Sequence, residues 1–363
     1  MRRILVVGLL LMSPVSMAQL PERLDSVMRA TMQPNRPGAA LVIEIDGKLV
    51  YRKGYGLANV RTKSLITPKT NFRMASVSKQ FTAMGILLLE KDRRLSIDDP
   101  LIKFFPEFNG EVARKVKVRN LLTHSSGILD YESVMNPGQQ KQLLDADVLT
   151  LLKDRDSLYF EPGSQFRYSN SGYCLLALII ERVSGQSFAS YIQQHIFQPL
   201  QMTQSIVYEA GKPIPNRAMG YARGTNGALV FSDQSVTSAT KGDGGVYTSL
   251  TDYQTWSHAL QAGTLLDLRA ALIRTGLAIP SAPASSYGAG WFFRQPTQPI
   301  LFHSGSTCGF NNYVVMIPAK RFLMAYFSNR ATNKASAEAI MKILADAGYR
   351  DVADMLPLDD LTQ

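Results

Sequence analysis

The alternation of apolar and polar positions divides this chain into stretches of two kinds. Residues 20–32 carry the spaced apolar positions of an amphipathic helix, and Pro37 and Gly38 then lead into two strands. These strands, at 39–45 and 48–55, flank Asp46-Gly47, a dipeptide that readily takes the positive φ angles of a two-residue hairpin turn. From Ser76 the pattern becomes largely helical, with helices expected over 76–92, 118–124, 145–153, 171–183 and 188–197. Glu161-Pro162-Gly163 marks a turn, and Gly127 and Gly185 read as helix stops. Beyond Gly245 a helix is expected over 251–261, capped by Ser249 or Thr251, and another over 268–274, stopped by Gly276. Strands return at 287–293, 299–303, 312–317 and 322–328, before a last helix over 335–347.

Strands at both ends around a helical middle predict an α/β (α+β) fold in which one antiparallel sheet, flanked by helices, is built from distant segments. A mostly helical lobe, residues 76–244, is inserted between the two parts of the sheet lobe, 19–75 and 245–363. A cleft is expected where the lobes meet, and Ser76 falls at the first crossing between them.

The first residues set Arg2 and Arg3 before an apolar stretch from Ile4 to Met12 and the small residues Ser16 and Ala18. These are the parts of a secretory leader, residues 1–18, with cleavage expected after Ala18. No cysteine follows that could carry a lipid, and no later apolar run approaches the roughly 20 residues of a membrane span. The mature chain is therefore expected to be exported to a bacterial periplasm without an integral membrane segment. Removing two of the 39 basic residues leaves 37 against 29 acidic ones, a net charge of +8 instead of +10. The basic residues are scattered, with no aromatic-interleaved block, which argues against nucleic acid and leaves solubility or anionic envelope polymers as the meaning of the charge. Cys174 and Cys308 are the only cysteines; export permits a bond between them, and free buried thiols are the simpler reading. No histidines pair at ligand spacing, so neither a metal nor a cofactor is expected.

Candidate chemistry begins at Ser76-Val77-Ser78-Lys79. Residues three apart share a helix face, so Lys79 stands beside Ser76, where an amine can take the proton that keeps a serine hydroxyl inert. Free N–H groups at the helix start point toward the same place. Ser238-Ala239-Thr240-Lys241 repeats the spacing but runs into Gly242-Asp243-Gly244-Gly245, which breaks a helix. Tyr168-Ser169-Asn170 precedes an apolar helix. A tyrosine oxygen can relay a proton and an asparagine amide can serve both a lysine and a substrate carbonyl, although the triplet alone equally fits a capped turn with Asn170 or Ser171 as N-cap. His303-Ser304-Gly305 ends an expected buried strand and runs into Ser306. Glycine there allows close backbone approach, and His303 can hold a negative group when protonated, donate a hydrogen bond when neutral, or be purely structural. Arg274-Thr275-Gly276 reads as a helix end, as does His124-Ser125-Ser126-Gly127. His195 and His258 sit in amphipathic helices without an expected chemical role.

Ser-x-x-Lys, Tyr-x-Asn and His-Ser-Gly in this order resemble the serine hydrolase family of penicillin-binding proteins and class C-type β-lactamases. The likeness spans nearly all the mature chain and includes Phe72-Arg73-Met74-Ala75, Asn120-Leu121-Leu122-Thr123-His124-Ser125-Ser126-Gly127, Gly244-Gly245-Val246-Tyr247 and Tyr287-Gly288-Ala289-Gly290-Trp291. It implies Ser76 as acylated nucleophile, Lys79 as activating partner, Tyr168 as proton shuttle and Asn170 as support for Lys79 and the substrate amide. Ser76 and Ser306 N–H groups would form the oxyanion hole, with His303, Ser304 and Gly305 lining the substrate strand. Many penicillin-active relatives carry lysine where this chain has His303, and no glutamate motif for a class A-style deacylating water is evident. The resemblance therefore implies an amide or ester hydrolase acting on small or peptide substrates, peptidoglycan-derived ones among them. Its rival is a non-catalytic envelope peptide-binding or assembly protein that keeps the fold.

Overall fold

The computed structural model describes residues 17–108, 110–295 and 297–353. Residues 1–16 of the expected leader lie outside them. Eight strands form one antiparallel sheet: β1 (Ala39–Ile45), β2 (Lys48–Tyr55), β3 (Leu277–Ile279), β4 (Ala282–Gly288), β5 (Trp291–Arg294), β6 (Ile300–Thr307), β7 (Phe310–Ile317) and β8 (Phe322–Ser328). Their order across the sheet is β3-β4-β5-β6-β7-β8-β1-β2. Asp46 and Gly47 turn the first hairpin with φ of 53° and 74°, as the dipeptide predicts. Strand β1 is buried along its whole length because it lies between β8 and β2 and helices cover both faces. Helix α1 (Leu20–Thr31) packs with the helix Lys334–Asp346, while the helix Leu250–Ala262 packs against β1 and β8. Each of these helices buries its apolar stripe, Leu20, Leu24 and Met28 in the case of α1.

Between the two parts of the sheet the chain is mainly helical. Helix α2 (Lys79–Lys91) is buried nearly all round and packs against α3 (Asn170–Ser184), whose residues 171–180 are buried without exception. These two helices carry Lys79 and Asn170 on their first turns.

Several boundaries differ from expectation for local reasons. The helix expected from 76 begins with a 3₁₀ turn, Ala75–Ser78, before the α-helix starts at Lys79. The helix expected over 118–124 ends at Leu122, and His124 takes a left-handed φ of 55°. The cap of α3 is Ser169, whose Oγ accepts from Gly172 N–H at 3.2 Å; it is neither Asn170 nor Ser171. The single strand expected at 287–293 is a hairpin, because Ala289 and Gly290 adopt φ of 50° and 80°. A side chain at Gly290 would come within 2.6 Å of Gln80 Cα and 2.7 Å of Lys79 O, so this turn seats directly on the start of α2. Strand β6 extends to Thr307, which places His303, Ser304, Gly305 and Ser306 inside the sheet and not beyond its end.

Candidate active site

Ser76 lies in a turn held from two sides. Met74 N–H donates to Val246 O at 2.9 Å, and Val246 N–H donates to Ser78 Oγ at 3.0 Å. From the large sheet, Asn312 Nδ2 on β7 donates to Arg73 O at 2.8 Å. Ala75, immediately before Ser76, has a left-handed φ of 49°, an unfavourable conformation for a residue with a Cβ that these flanking bonds maintain. The repeat at Ser238 starts no helix and forms no such turn.

Lys79 is fully buried, and its ammonium meets three acceptors: Ser76 Oγ at 3.2 Å, Asn170 Oδ1 at 2.8 Å and Asp243 O at 2.9 Å. Three acceptors match the three donors of a lysine. Its Nζ also lies 4.8 Å from the centre of the Tyr168 ring. Asn170 is oriented by a second bond, from Nδ2 to Glu132 Oε1 at 2.8 Å. Partial burial of the Glu132 carboxyl raises its pKa above the ordinary glutamate value, an effect the Asn170 bond opposes. The loop that supplies Asp243 O is fixed by the buried Asp145 carboxylate, which accepts from Lys241 N–H at 3.0 Å and Gly242 N–H at 3.2 Å. Burial, aided by the nearby Asp243 charge, pushes the pKa of Asp145 up to about 7.

Tyr168 packs its ring 4.2 Å from that of His124 and stacks at 6.2 Å on Phe292. Its buried hydroxyl has no hydrogen-bond partner among the described residues. Strand β6 forms the facing wall. Strand β5 pairs only with residues 300–302, so the edge of β6 from His303 onward is left without a strand neighbour on that side. Gly305 passes so close to the Ser76 turn that a Cβ there would lie 2.2 Å from Met74 O and 3.2 Å from Ser76 N. Ser306, one residue beyond this contact, is exposed, whereas Ser304 is buried.

His303 is completely buried, and its tautomer follows from its partners. Its Nδ1 lies 2.6 Å from Ser304 O, which can only accept, so Nδ1 carries the proton. In the neutral ring Nε2 is then the acceptor, receiving the Tyr287 hydroxyl at 3.1 Å. Burial drives the pKa down to about 3, with Lys79 adding to the fall and the Ser304 bond opposing it. A protonated His303 holding an anionic group is thus disfavoured near neutral pH, and in this structure both ring nitrogens are taken.

The structure brings Ser76, Lys79, Tyr168, Asn170 and the His303–Ser306 strand together. Sequence reasoning missed the Asp243 carbonyl, Glu132 and His124. A backbone carbonyl leaves no residue-type signal, and His124 was hidden by the glycine stop that follows it. His195 stacks on Tyr191 and His258 bonds Glu44 at 2.8 Å, both away from Ser76. Cys174 is buried and free, and Cys308 is free but partly exposed. Among the described residues no group of three His, Cys, Asp or Glu side chains is placed to hold a metal, and no helix is long and apolar enough to cross a membrane. A cavity of about 280 Å³ lined by Arg36, Arg223 and Arg330 contains none of these groups, whereas a larger one of about 700 Å³ is lined by Ser306 and Asn311.

The chain is similar over 322 residues to penicillin-binding protein 4* of Bacillus subtilis (strain 168), at 29% identity, covering 84% of this chain and 70% of that one. It is 27% identical over 352 residues to protein flp of Staphylococcus aureus (strain MW2), covering 92% and 69%. Among solved structures, the octameric penicillin-binding protein homologue from Pyrococcus abyssi superposes with a TM-score of 0.76 at 27% identity, covering 91% of this chain and 77% of that one. The D-amino acid amidase from Ochrobactrum anthropi SV3 shares the fold, with a TM-score of 0.74, 22% identity and coverage of 92% and 99%. The Beta-lactamase family model matches residues 24–348, and the chain belongs to that family.

Proposed function

We propose that this protein is an exported serine hydrolase that opens an amide or ester bond through an acyl-Ser76 intermediate. The observation that carries this reading is the contact of Ser76 Oγ with a buried Lys79 whose other two donors are already occupied. To accept a proton, Lys79 must first present a lone pair to Ser76, and the fixed positions of Asn170 Oδ1 and Asp243 O leave Ser76 as the direction in which that lone pair is useful. Ser76 Oγ then bonds to the substrate carbonyl carbon, its proton passing to Lys79 or to the Tyr168 oxygen. The carbonyl oxygen is held by backbone N–H groups at Ser76 and Ser306, where the Gly305 contact brings β6 against the Ser76 turn. The bond to the leaving amine or alcohol breaks as Tyr168 donates a proton to it, one that Tyr168 either took from Ser76 or regains from the protonated Lys79. Water releases the acyl group by the reverse sequence.

The buried, neutral His303 supports substrates that do not depend on a cation at that position. D-amino-acid or cell-wall peptides and esters fit this reading better than efficient β-lactam turnover, with β-lactams as slower acylating agents. The test is intact mass spectrometry of the mature protein with a p-nitrophenyl ester, a D-Ala-D-Ala peptide and nitrocefin. The expected result is an acyl adduct on the wild type that is absent in Ser76→Ala. Full turnover of every accepted substrate by Ser76→Ala overturns the mechanism.

A further inference from the structure

We propose that His124 is a positioning residue for Tyr168, holding the backbone N–H groups of the residues before and after it; this rests on the proton-relay role given to Tyr168 above. The grip has three parts. His124 O accepts from Arg167 N–H at 2.8 Å, and His124 Nδ1 accepts from Ser169 N–H at 3.0 Å. The two backbone donors that flank Tyr168 are therefore both held by one residue. The imidazole then covers the phenol ring at 4.2 Å, with an interplanar angle of 31°. On its other sides the imidazole meets Tyr287 at 4.4 Å and Tyr173 at 5.1 Å, so it has no room to swing away.

This arrangement requires an unusual backbone. His124 sits at φ of 55° and is 1% exposed. A side chain in the left-handed region persists where its surroundings fix it, and such strain gathers at functional places. Because Nδ1 accepts from a backbone N–H, the neutral ring carries its proton on Nε2. Protonating Nδ1 would break the Ser169 bond. Burial keeps the ring neutral by holding its pKa well below 6.5, and Lys79 and His303, the charged and titratable groups facing it, act in the same direction. Two buried polar atoms on these adjacent rings, His124 Nε2 and the Tyr168 hydroxyl, lack hydrogen-bond partners among the described residues. Such atoms are costly to bury and call for an explanation beyond packing. A phenol that must exchange protons with Ser76 and with a leaving group needs its oxygen free and its ring immobile, because a displacement of about 1 Å can cost roughly 10²-fold in rate.

The test compares a p-nitroanilide and a p-nitrophenyl ester of the same acyl group, one that the wild type processes. The anilide needs a proton on its leaving nitrogen, whereas p-nitrophenolate departs without one. His124→Leu is expected to lower kcat on the anilide by roughly 10²-fold and on the ester by less than about tenfold. His124→Asn, whose Oδ1 can occupy the Nδ1 position and which tolerates a positive φ, should recover at least about tenfold of the anilide loss. Equal losses on the two substrates, or an Asn variant no better than the Leu variant, would overturn the proposal. If His124→Leu does not fold, the anilide-to-ester ratio of His124→Asn against His124→Gln decides: a higher ratio for Asn supports the grip, and equal ratios refute it. Ser76→Ala is run beside them, since its retention of turnover would sink the serine reading itself and not the role of His124.

Discussion

Gly305→Ala perturbs the contact on which the geometry of the cleft depends. The added Cβ would lie 2.2 Å from Met74 O, where ordinary contact begins near 3.4 Å, an overlap of about 1.2 Å. Met74 O belongs to the backbone of the turn carrying Ser76, and that turn is fixed by Val246 on one side and by Asn312 through Arg73 on the other. No flexible side chain can absorb the overlap, so either β6 or the Ser76 turn must move by about an ångström. Overpacking of this kind costs roughly 1–3 kcal/mol of stability. On the proposed mechanism the larger effect falls on chemistry, because separating the Ser76 and Ser306 peptides would weaken their joint hold on a developing oxyanion. Losing one such donor costs about 10²–10³-fold, or roughly 2.7–4 kcal/mol of barrier. The assay is the pre-steady-state burst of p-nitrophenolate, read together with the thermal midpoint to separate folding from rate. A soluble Gly305→Ala protein that acylates within about threefold of the wild type would refute the placement of β6 against the Ser76 turn as a catalytic requirement.

Further perturbations test electrostatics and packing. The His303 pKa falls from 6.5 to about 3 on folding, so its neutral form supports the fold fully above pH 6.5, and this support is lost as pH falls toward 3. At about 1.36 kcal/mol per unit the whole effect is on the order of 5 kcal/mol. The stability gap between wild type and His303→Gln, from urea midpoints, should therefore narrow steadily from pH 7 to pH 4, and a constant gap would contradict the burial argument. Asn329 is buried and joins four backbone groups, accepting from Gly38 N–H at 2.8 Å and donating to Leu57 O, Ala58 O and Met219 O. Asn329→Ala should cost about 3 kcal/mol by leaving these groups unpaired, and a urea midpoint shift equivalent to less than about 1 kcal/mol would show that they find other partners.

Much of the site could be read from residue types because its side chains sit on helix starts and a strand, where spacing fixes direction. Ser76 and Lys79 are neighbours by helical geometry, and Asn170 opens an apolar helix that the sequence marks clearly. The parts that could not be read are those made by the backbone or by burial. Asp243 contributes a carbonyl, which any residue could supply, and its position depends on Asp145, almost a hundred residues away in sequence. The neutrality of His303 follows from complete burial beside Tyr287, and no local pattern announces it. In the sheet, 287–293 reads as one apolar run because Tyr287 and Trp291–Phe293 bracket a turn whose Ala289 takes a conformation that residue type does not signal. His124 misled for the opposite reason, since the glycine at 127 offered a sufficient local explanation.

The middle of the sheet has a kinetic consequence. Strand β1 pairs with β8 from Ala39↔Ser328 to Glu44↔Leu323, segments that lie near opposite ends of the described residues. Its entire length is destined for burial, yet until β8 exists it can pair only with β2. Bringing these two strands together requires closing the loop that runs from residue 46 to residue 321, and contacts so distant in sequence slow folding and prolong the exposure of unpaired apolar edges. A chain truncated before Phe322 would keep Ser76, Lys79, Tyr168 and His303 in its sequence but lack the strand that joins the two parts of the sheet. Completion of the cleft around Ser76 is therefore tied to the arrival of β8.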